Sequence, residues 1–357
     1  MKIEHIDLRN FRSYPQRSFD FDPRGNLVIG PNGCGKTNLL EAIAFTSIGK
    51  SIRYHRDDDL LAYGQNWFAV EASYAKDNGN ELGVQLGWDG SRKSLKLDGV
   101  LSRQLSSLLS LVKVIYSAPE DIQLVNGSPR LRRQYFDMAI SQLFPDYLNI
   151  LRDYLHIVDQ RNALLKQDFD PAQKAGWDKR FIQALREVYS YRNQYLELLN
   201  ASLGVSCKDI SPGFMDFRVQ YRPIHKDANI AQADQLLLGL DELRQRESLW
   251  QRTLLGPHLD DYGFRFGQHN LREFGSGGQK RVAVIILKLV QAELIRDHTG
   301  IHPVLLFDDI FAELDHIHSK RIADLCNKGF QSIIASPKMD IAEIFPAYPQ
   351  ISPEPGV

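Results

Sequence analysis

The chain has 357 residues, of which 43% are hydrophobic and 24% charged, and its net charge is −1. These are the proportions of a soluble globular protein with room for two lobes, and the balanced charge means that any nucleic-acid or membrane partner must meet a local patch. Cys34, Cys207 and Cys326 are scattered, odd in number and without metal-ligand spacing, as expected in a reducing cytoplasm.

The opening, MKIEHIDLRNFRSY, alternates at period two, with Ile3, His5 and Asp7 set against Ile6 and Leu8. It reads as a strand and not as a signal peptide, and no stretch reaches the apolar length that spans a bilayer. NLVIG is a short apolar strand running into GPNGCGKT. TNLLEAIAFTSIG then places Leu39, Leu40, Ile43 and Ala44 on one helical face, with Gly49 as the stop. Strand, glycine loop and helix form the context that a phosphate loop requires. The nucleotide-binding segment is read as Gly30, Pro31, Asn32, Gly33, Cys34, Gly35, Lys36, Thr37 and Asn38. Its glycines let backbone N–H groups turn toward a β-phosphate, and the helix N-terminus adds partial positive charge. Lys36 reaches the β- and γ-phosphates, and Thr37 offers its hydroxyl to Mg²⁺.

Residues 67–115 read as a β-meander, with WFAVEASYA, ELGVQLGW and KSLKLDG separated by turn sequences. From Pro119 to about Leu203 the period is helical, broken near Pro145 and Pro171, and predicts an antiparallel helical arm whose stripe of Phe181, Tyr189 and Tyr195 is core. FMDFRVQYRP returns to strand, ADQLLLGLDELRQRESLWQRTLL to helix, and DDYGFRFGQHNLREFG reads as a β-hairpin. EFGSGGQKR then opens the apolar helix QKRVAVIILKLVQAELIRDHTG, a second glycine-rich helix start able to hold an anion. A second cradle is redundant for one nucleotide, so Ser276 and Gly278 are expected to face the γ-phosphate held by another copy. PVLLFDD is a buried strand ending in two carboxylates: Asp308 is assigned to Mg²⁺ and Asp309 to polarising the attacking water, with Lys36 completing the catalytic set. A helix (HSKRIADLCNKG), a buried strand (QSIIAS) and a proline-rich tail complete the chain.

SGGQ after REFG resembles the signature motif of ABC-type ATPases, and DDIFAELD, closed by Asp315, resembles their Walker B segment and D-loop. With LRNFRSY, APEDIQLVNGSPRLRRQYFD, QRNALLK and GPHLDDY, the whole chain is similar to the RecF family of bacterial recombination mediators. Two departures are visible: Leu259 stands where that family usually has a basic residue, and FGSGGQKR is nearer the general ABC signature.

The resemblance implies an α/β fold: a P-loop ABC-type ATPase head, mixed in its sheet and carrying the β-meander, plus a helical arm. The head would comprise 1–115 and 255–357, with the signature near 272–281, and the helical lobe 116–254. It implies a cytoplasmic protein of DNA repair, replication and the SOS response. ATP with Mg²⁺ would drive homodimerisation on double-stranded, single-stranded or gapped DNA, and the dimer would help load recombinase together with RecR and RecO. Asp315 would lie between the two composite sites, and Arg12 would contact nucleotide. Asp309 in place of the usual Glu, and Ser336 in place of a switch His, imply slow hydrolysis, while Glu120 or Gln123 would stand in a Q-loop. The candidate DNA patch is Arg130, Arg132, Arg133, Arg161 and Lys166, contacting phosphates rather than bases. A transporter ATPase would instead call for a membrane partner, a Q-loop and a switch His. A structural chromosome-organising head would call for longer coiled-coil arms than 119–203 can form.

Overall fold

The computed structural model describes residues 1–53, 56–167, 171–211, 216–224, 233–327 and 329–354. The first two residues of FMDFRVQYRP and the last three of the tail therefore lie outside the described residues. From the N-terminus, β1 (Lys2–Phe11) and β2 (Tyr14–Asp20) form a hairpin, and β3 (Gly25–Ile29) enters the glycine loop and α1 (Lys36–Ile48). Strands β4 (Phe68–Ala75), β5 (Glu81–Trp88), β6 (Lys93–Leu97) and β7 (Val100–Ser102) form the meander, followed by α2 (Ser107–Leu111) and β8 (Val114–Ser117). The helical stretch is α3 (Gln123–Asn126), α4 (Pro129–Leu143), α5 (Tyr147–Leu164) and α6 (Pro171–Ile210). Next come β9 (Phe217–Arg222), α7 (Ala233–Trp250), β10 (Asp261–Phe266), β11 (His269–Asn270) and α8 (Leu271–Phe274). The chain ends with α9 (Gly277–Thr299), β12 (Val304–Asp308), α10 (His316–Cys326), β13 (Ser332–Ser336), α11 (Ile341–Ile344) and β14 (Gln350–Ile351).

The chain divides into two compact units, Met1–Ile122 with Ser206–Gly213 and Ser276–Val357, and Gln123–Val205 with Phe214–Gly275. These limits differ from the sequence boundaries at 115/116 and 254/255. Val114–Ser117 pairs in parallel with Val304–Phe307, which draws the segment after 115 into the first unit. β10 pairs antiparallel with β9 from Asp261↔Arg222 to Phe266↔Phe217, which keeps 255–275 in the second.

In the first unit the strand types are segregated. A six-stranded antiparallel sheet runs β2-β1-β4-β5-β6-β7, and a five-stranded parallel sheet runs β14-β3-β13-β12-β8. The parallel strands β12 and β13 are buried at every position, as continuous apolar runs require when both faces are covered. α1 packs against strands of both sheets, and its residues from Leu39 to Ser47 are all buried. A helix apolar all round finds its place between two layers. In β1, strict alternation would place Ile3 on the face opposite Ile6 and Leu8. A register shift between Ile3 and His5 brings all three into the core.

The second unit contains the helices α3–α5 and most of α6, with the three-stranded sheet β11-β10-β9. Phe181, Tyr189 and Tyr195 of α6 are buried, as the aromatic stripe predicted. α6 continues past Leu203 to Ile210. The segment read as a plain hairpin is β10 and a two-residue β11 capped by the short helix α8. Among the described residues no helix is long and apolar enough to cross a membrane.

Candidate functional site

The loop from Gly30 to Gly35 is shaped by close approaches that its sequence anticipates. Gly35 caps α1 in the left-handed region (φ 105°), and a Cβ there would come within 2.5 Å of the Tyr14 hydroxyl. That hydroxyl donates to the carbonyls of Gly35 (3.1 Å) and Pro353 (2.9 Å), tying loop, hairpin and chain end together. Gly30 N–H donates to the Ser336 carbonyl at 3.4 Å. Lys36 is buried, and its ammonium donates to the carbonyls of Gly30 (2.9 Å) and Pro31 (3.1 Å), curling over the loop.

Although β13 lies between β3 and β12, the two motifs meet above the sheet. Thr37 Oγ1 donates to Asp308 Oδ1 at 3.0 Å, and the Tyr116 hydroxyl donates to Asp308 Oδ2 at 2.8 Å. Burial raises the Asp308 pKa above the usual carboxylate range, while these two hydrogen bonds pull it down. Asp309 sits at φ 53°, a strained position that Asp tolerates better than most residues. Its Oδ1 is buried and has no hydrogen-bond partner among the described residues. Burial and then the charge of Asp308 raise its pKa, opposed by Lys36. Thr37 and Asp308 present hard oxygen donors side by side, the donor type that Mg²⁺ takes.

The other expected residues are placed as follows. Asn38 donates to Ser13 Oγ at 2.9 Å. Arg12 binds the buried Glu41 of α1 through Nε (3.0 Å) and through a second nitrogen at 3.4 Å, and also donates to the Asp59 carbonyl. The structure thus anchors Arg12 on the helix after the loop. Ser276 caps α9 in a capping box: Gln279 N–H donates to its Oγ (3.2 Å), and Gln279 Oε1 accepts from its N–H (2.9 Å). A Cβ on Gly275 would meet the Leu271 carbonyl at 2.6 Å, so this glycine serves the turn, whereas one on Gly278 would meet nothing within 4 Å. Asp315 caps α10, accepting from His318 N–H (3.0 Å), and lies 2.6 Å from His318 Nδ1. Ser336 is buried and bonded to the backbone of Lys338. Glu120 is exposed, and its charge acts on Asp308 and Asp309.

The basic patch is corrected in two members. Arg132 is buried, donating to both oxygens of Asp261 (2.7 and 3.0 Å) and to the carbonyl of Gly127. Arg161 is fully buried between Asp178 (2.7 Å) and Glu247 (2.5 Å), so neither guanidinium is available to a phosphate. Arg133 is half-buried on the Asp260 carbonyl, while Arg130 and Lys166 are exposed. The GPHLDDY carboxylates are likewise structural. Asp260 accepts from Tyr221 OH (2.6 Å) and Ile224 N–H (2.8 Å), and Asp261 holds Arg132.

Sequence reasoning passed over Tyr116, Tyr14 and Glu41. Tyr116 carries the one hint, a lone phenol near the end of the apolar strand VIYS beside the site.

The sequence matches the RecF/RecN/SMC N terminal domain family over residues 2–348. It is 33% identical over 349 residues to the DNA replication and repair protein RecF of Halalkalibacterium halodurans, covering 95% of this chain and 94% of that one. It is 32% identical over 345 residues to the RecF of Moorella thermoacetica, covering 96% and 91%. A solved structure of the recombination mediator protein RecF with ATP, in the RecFOR pathway, superposes with a TM-score of 0.86 at 28% identity, covering 95% of this chain and 93% of that one. An Smc head bound to the C-winged helix domain of ScpA shares the fold at 18% identity and a TM-score of 0.57. With its phosphate loop, its Thr37–Asp308 pair and this similarity along nearly its whole length, the chain belongs to the RecF family within the RecF/RecN/SMC N-terminal domain group.

Proposed function

We propose that this chain is an ATP-dependent DNA-binding protein of recombinational repair and replication, working in the cytoplasm as a homodimer that nucleotide assembles. The observation that carries the reading is the meeting of Lys36, Thr37 and Asp308 at one point, in a chain similar to a RecF solved with ATP. The Gly30–Thr37 loop receives the phosphates and Lys36 leaves its loop carbonyls for them. Thr37 and Asp308 would hold Mg²⁺, which would supply charge neutralisation on the phosphates. The unsatisfied Oδ1 of Asp309 supports a role in orienting water. Its short side chain suits slow turnover.

Ser276 and Gly278 serve the nucleotide of the second copy, with Asp315 between the two sites and Arg12 on the nucleotide side of α1. The capping box leaves the Ser276 hydroxyl proton free to donate, because Oγ is used there only as acceptor. The open space at Gly278 supports the same role, since among the described residues nothing would crowd a Cβ there. The dimer binds double-stranded and gapped DNA through its phosphates, with Arg130, Arg133 and Lys166 among the contacts, and loads recombinase with RecR and RecO.

Sedimentation with ATP, ADP or no nucleotide, with and without gapped duplex, tests the reading. ATP is expected to produce a dimer that ADP does not, and Ser276→Arg is expected to abolish it while monomers still bind ATP. A Ser276→Arg variant that dimerises normally sinks the composite site. Hydrolysis surviving in Lys36→Arg removes the phosphate-loop assignment.

A further inference from the structure

The sheet β11-β10-β9 carries an arrangement that the nucleotide site leaves unexplained. Phe217 and Val219 of β9 are buried, while Arg218 and Gln220 alternate with them on the exposed face. The register sets Arg218 directly opposite Arg265 of β10. Like charges directly opposed across two strands destabilise a sheet. No carboxylate offsets them: among the described residues neither Arg218 nor Arg222 forms an ion pair, and Arg265 donates to the Gln268 carbonyl. Asp261 stands opposite Arg222, but both of its carboxylate oxygens accept from Arg132. Arg222 instead lies over Gly263, where a Cβ would come within 2.3 Å of its guanidinium carbon. The buried arginines of the same unit, Arg132, Arg161 and Arg192, each sit on a carboxylate.

Beside these cations a groove of about 780 Å³ runs between α6 and the sheet, lined by Asn200, Gly204, Arg218, Gln220, Arg265 and Gln268 among others, with no acidic residue. Asn200 seals its floor by exchanging two hydrogen bonds of 2.9 Å with the Val219 backbone. Gly204 lies inside a helix, where glycine is unfavourable, and a Cβ there would meet nothing within 4 Å, so the groove is open at that point.

We infer that this face binds the sugar–phosphate backbone of DNA, with Arg218, Arg222 and Arg265 on phosphates and no base read. The inference rests on the proposal that the chain binds DNA, and it supplies cations where Arg132 and Arg161 do not. Guanidinium forks match phosphate oxygens, and the amides of Gln220 and Gln268 suit a polar backbone. An acidic protein segment fits less well: of the apolar side chains lining the groove, Phe217 and Val219 are buried, and the exposed Ala201 offers a protein partner only a methyl group as anchor.

Binding of the full chain with ATP to a labelled gapped duplex, followed by anisotropy across a salt series, tests this. Replacing all three arginines by alanine is expected to weaken binding about tenfold or more and to make the log K against log salt slope shallower by about 2 to 3. The triple lysine variant is expected to keep the slope, and ATP-driven dimerisation of the alanine variant, read by sedimentation, to stay intact. An unchanged slope and affinity in the alanine variant overturns the inference while leaving DNA binding itself standing. Retained DNA binding together with loss of polyglutamate binding overturns it in favour of an acidic protein. A wild-type chain that binds no DNA at low salt removes the parent reading as well.

Discussion

Two hydroxyls donate to the buried Asp308, one on each oxygen, Thr37 at 3.0 Å and Tyr116 at 2.8 Å, and oppose the rise in its pKa that burial causes. Tyr116→Phe leaves Oδ2 without its donor, and a hydrogen bond to a charged group contributes about 1.5–3 kcal/mol. The variant is expected to lose stability of that order in urea melts and to need more Mg²⁺ for nucleotide binding, measured by titrating Mg²⁺ at fixed ATP. An unchanged Mg²⁺ requirement would leave Tyr116 a purely structural residue. Lys36, Thr37 and Asp308 were legible because each belongs to a short motif whose backbone shape is local. Tyr116 was not, because it reaches Asp308 from 192 positions away.

At the scale of elements, the caps and turns hold the site. Gly35 starts α1 at φ 105° against the Tyr14 hydroxyl, so Gly35→Ala combines backbone strain of about 1–3 kcal/mol with a clash. Calorimetry is expected to show loss of ATP affinity alongside a lowered melting temperature. On the arm, Arg161→Ala strands the buried Glu247 and is expected to destabilise by about 3–5 kcal/mol, whereas Lys166→Ala stays within about 0.5 kcal/mol. Chemical denaturation of both variants separates the roles that sequence had merged. In the GPHLDDY turn, burial lowers the His258 pKa to about 4, and Tyr154 OH lies 2.5 Å from its Nδ1. The unfolded chain takes up this proton near pH 6.5 and the folded chain only near 4. Stability is therefore lost as pH falls between those values, by at most about 3 kcal/mol. Urea midpoints at pH 7.5 and 5 are expected to diverge less in His258→Gln than in the parent.

At the scale of the molecule, Lys36, Thr37 and Asp308 lie in the first unit, and Arg218, Arg222 and Arg265 in the second. ATP with Mg²⁺ at a hundred times its Kd is expected to stabilise the folded chain by about 2.7 kcal/mol, and a thermal-shift series should show no such gain for Lys36→Ala. The strand–loop–helix order, the meander, the long helices and the family were legible in sequence, because periodicity and glycine placement report local backbone geometry. The unit boundaries were not, because β8 joins β12 and β10 joins β9 through pairings that no local pattern records.

The sequence by itself determined the phosphate loop, the paired carboxylates at the end of a buried strand and the glycine-rich start of α9, since each depends on neighbouring residues and their allowed dihedrals. Only the tertiary structure decided which charges are free. Arg132 and Arg161 sit close in sequence to exposed cations yet lie buried on Asp261, Asp178 and Glu247, while the exposed Arg218 and the half-buried Arg222 form no ion pair among the described residues. Whether a charge is paired depends on what folding brings beside it, and for Arg161 the partner Glu247 comes from 86 positions away.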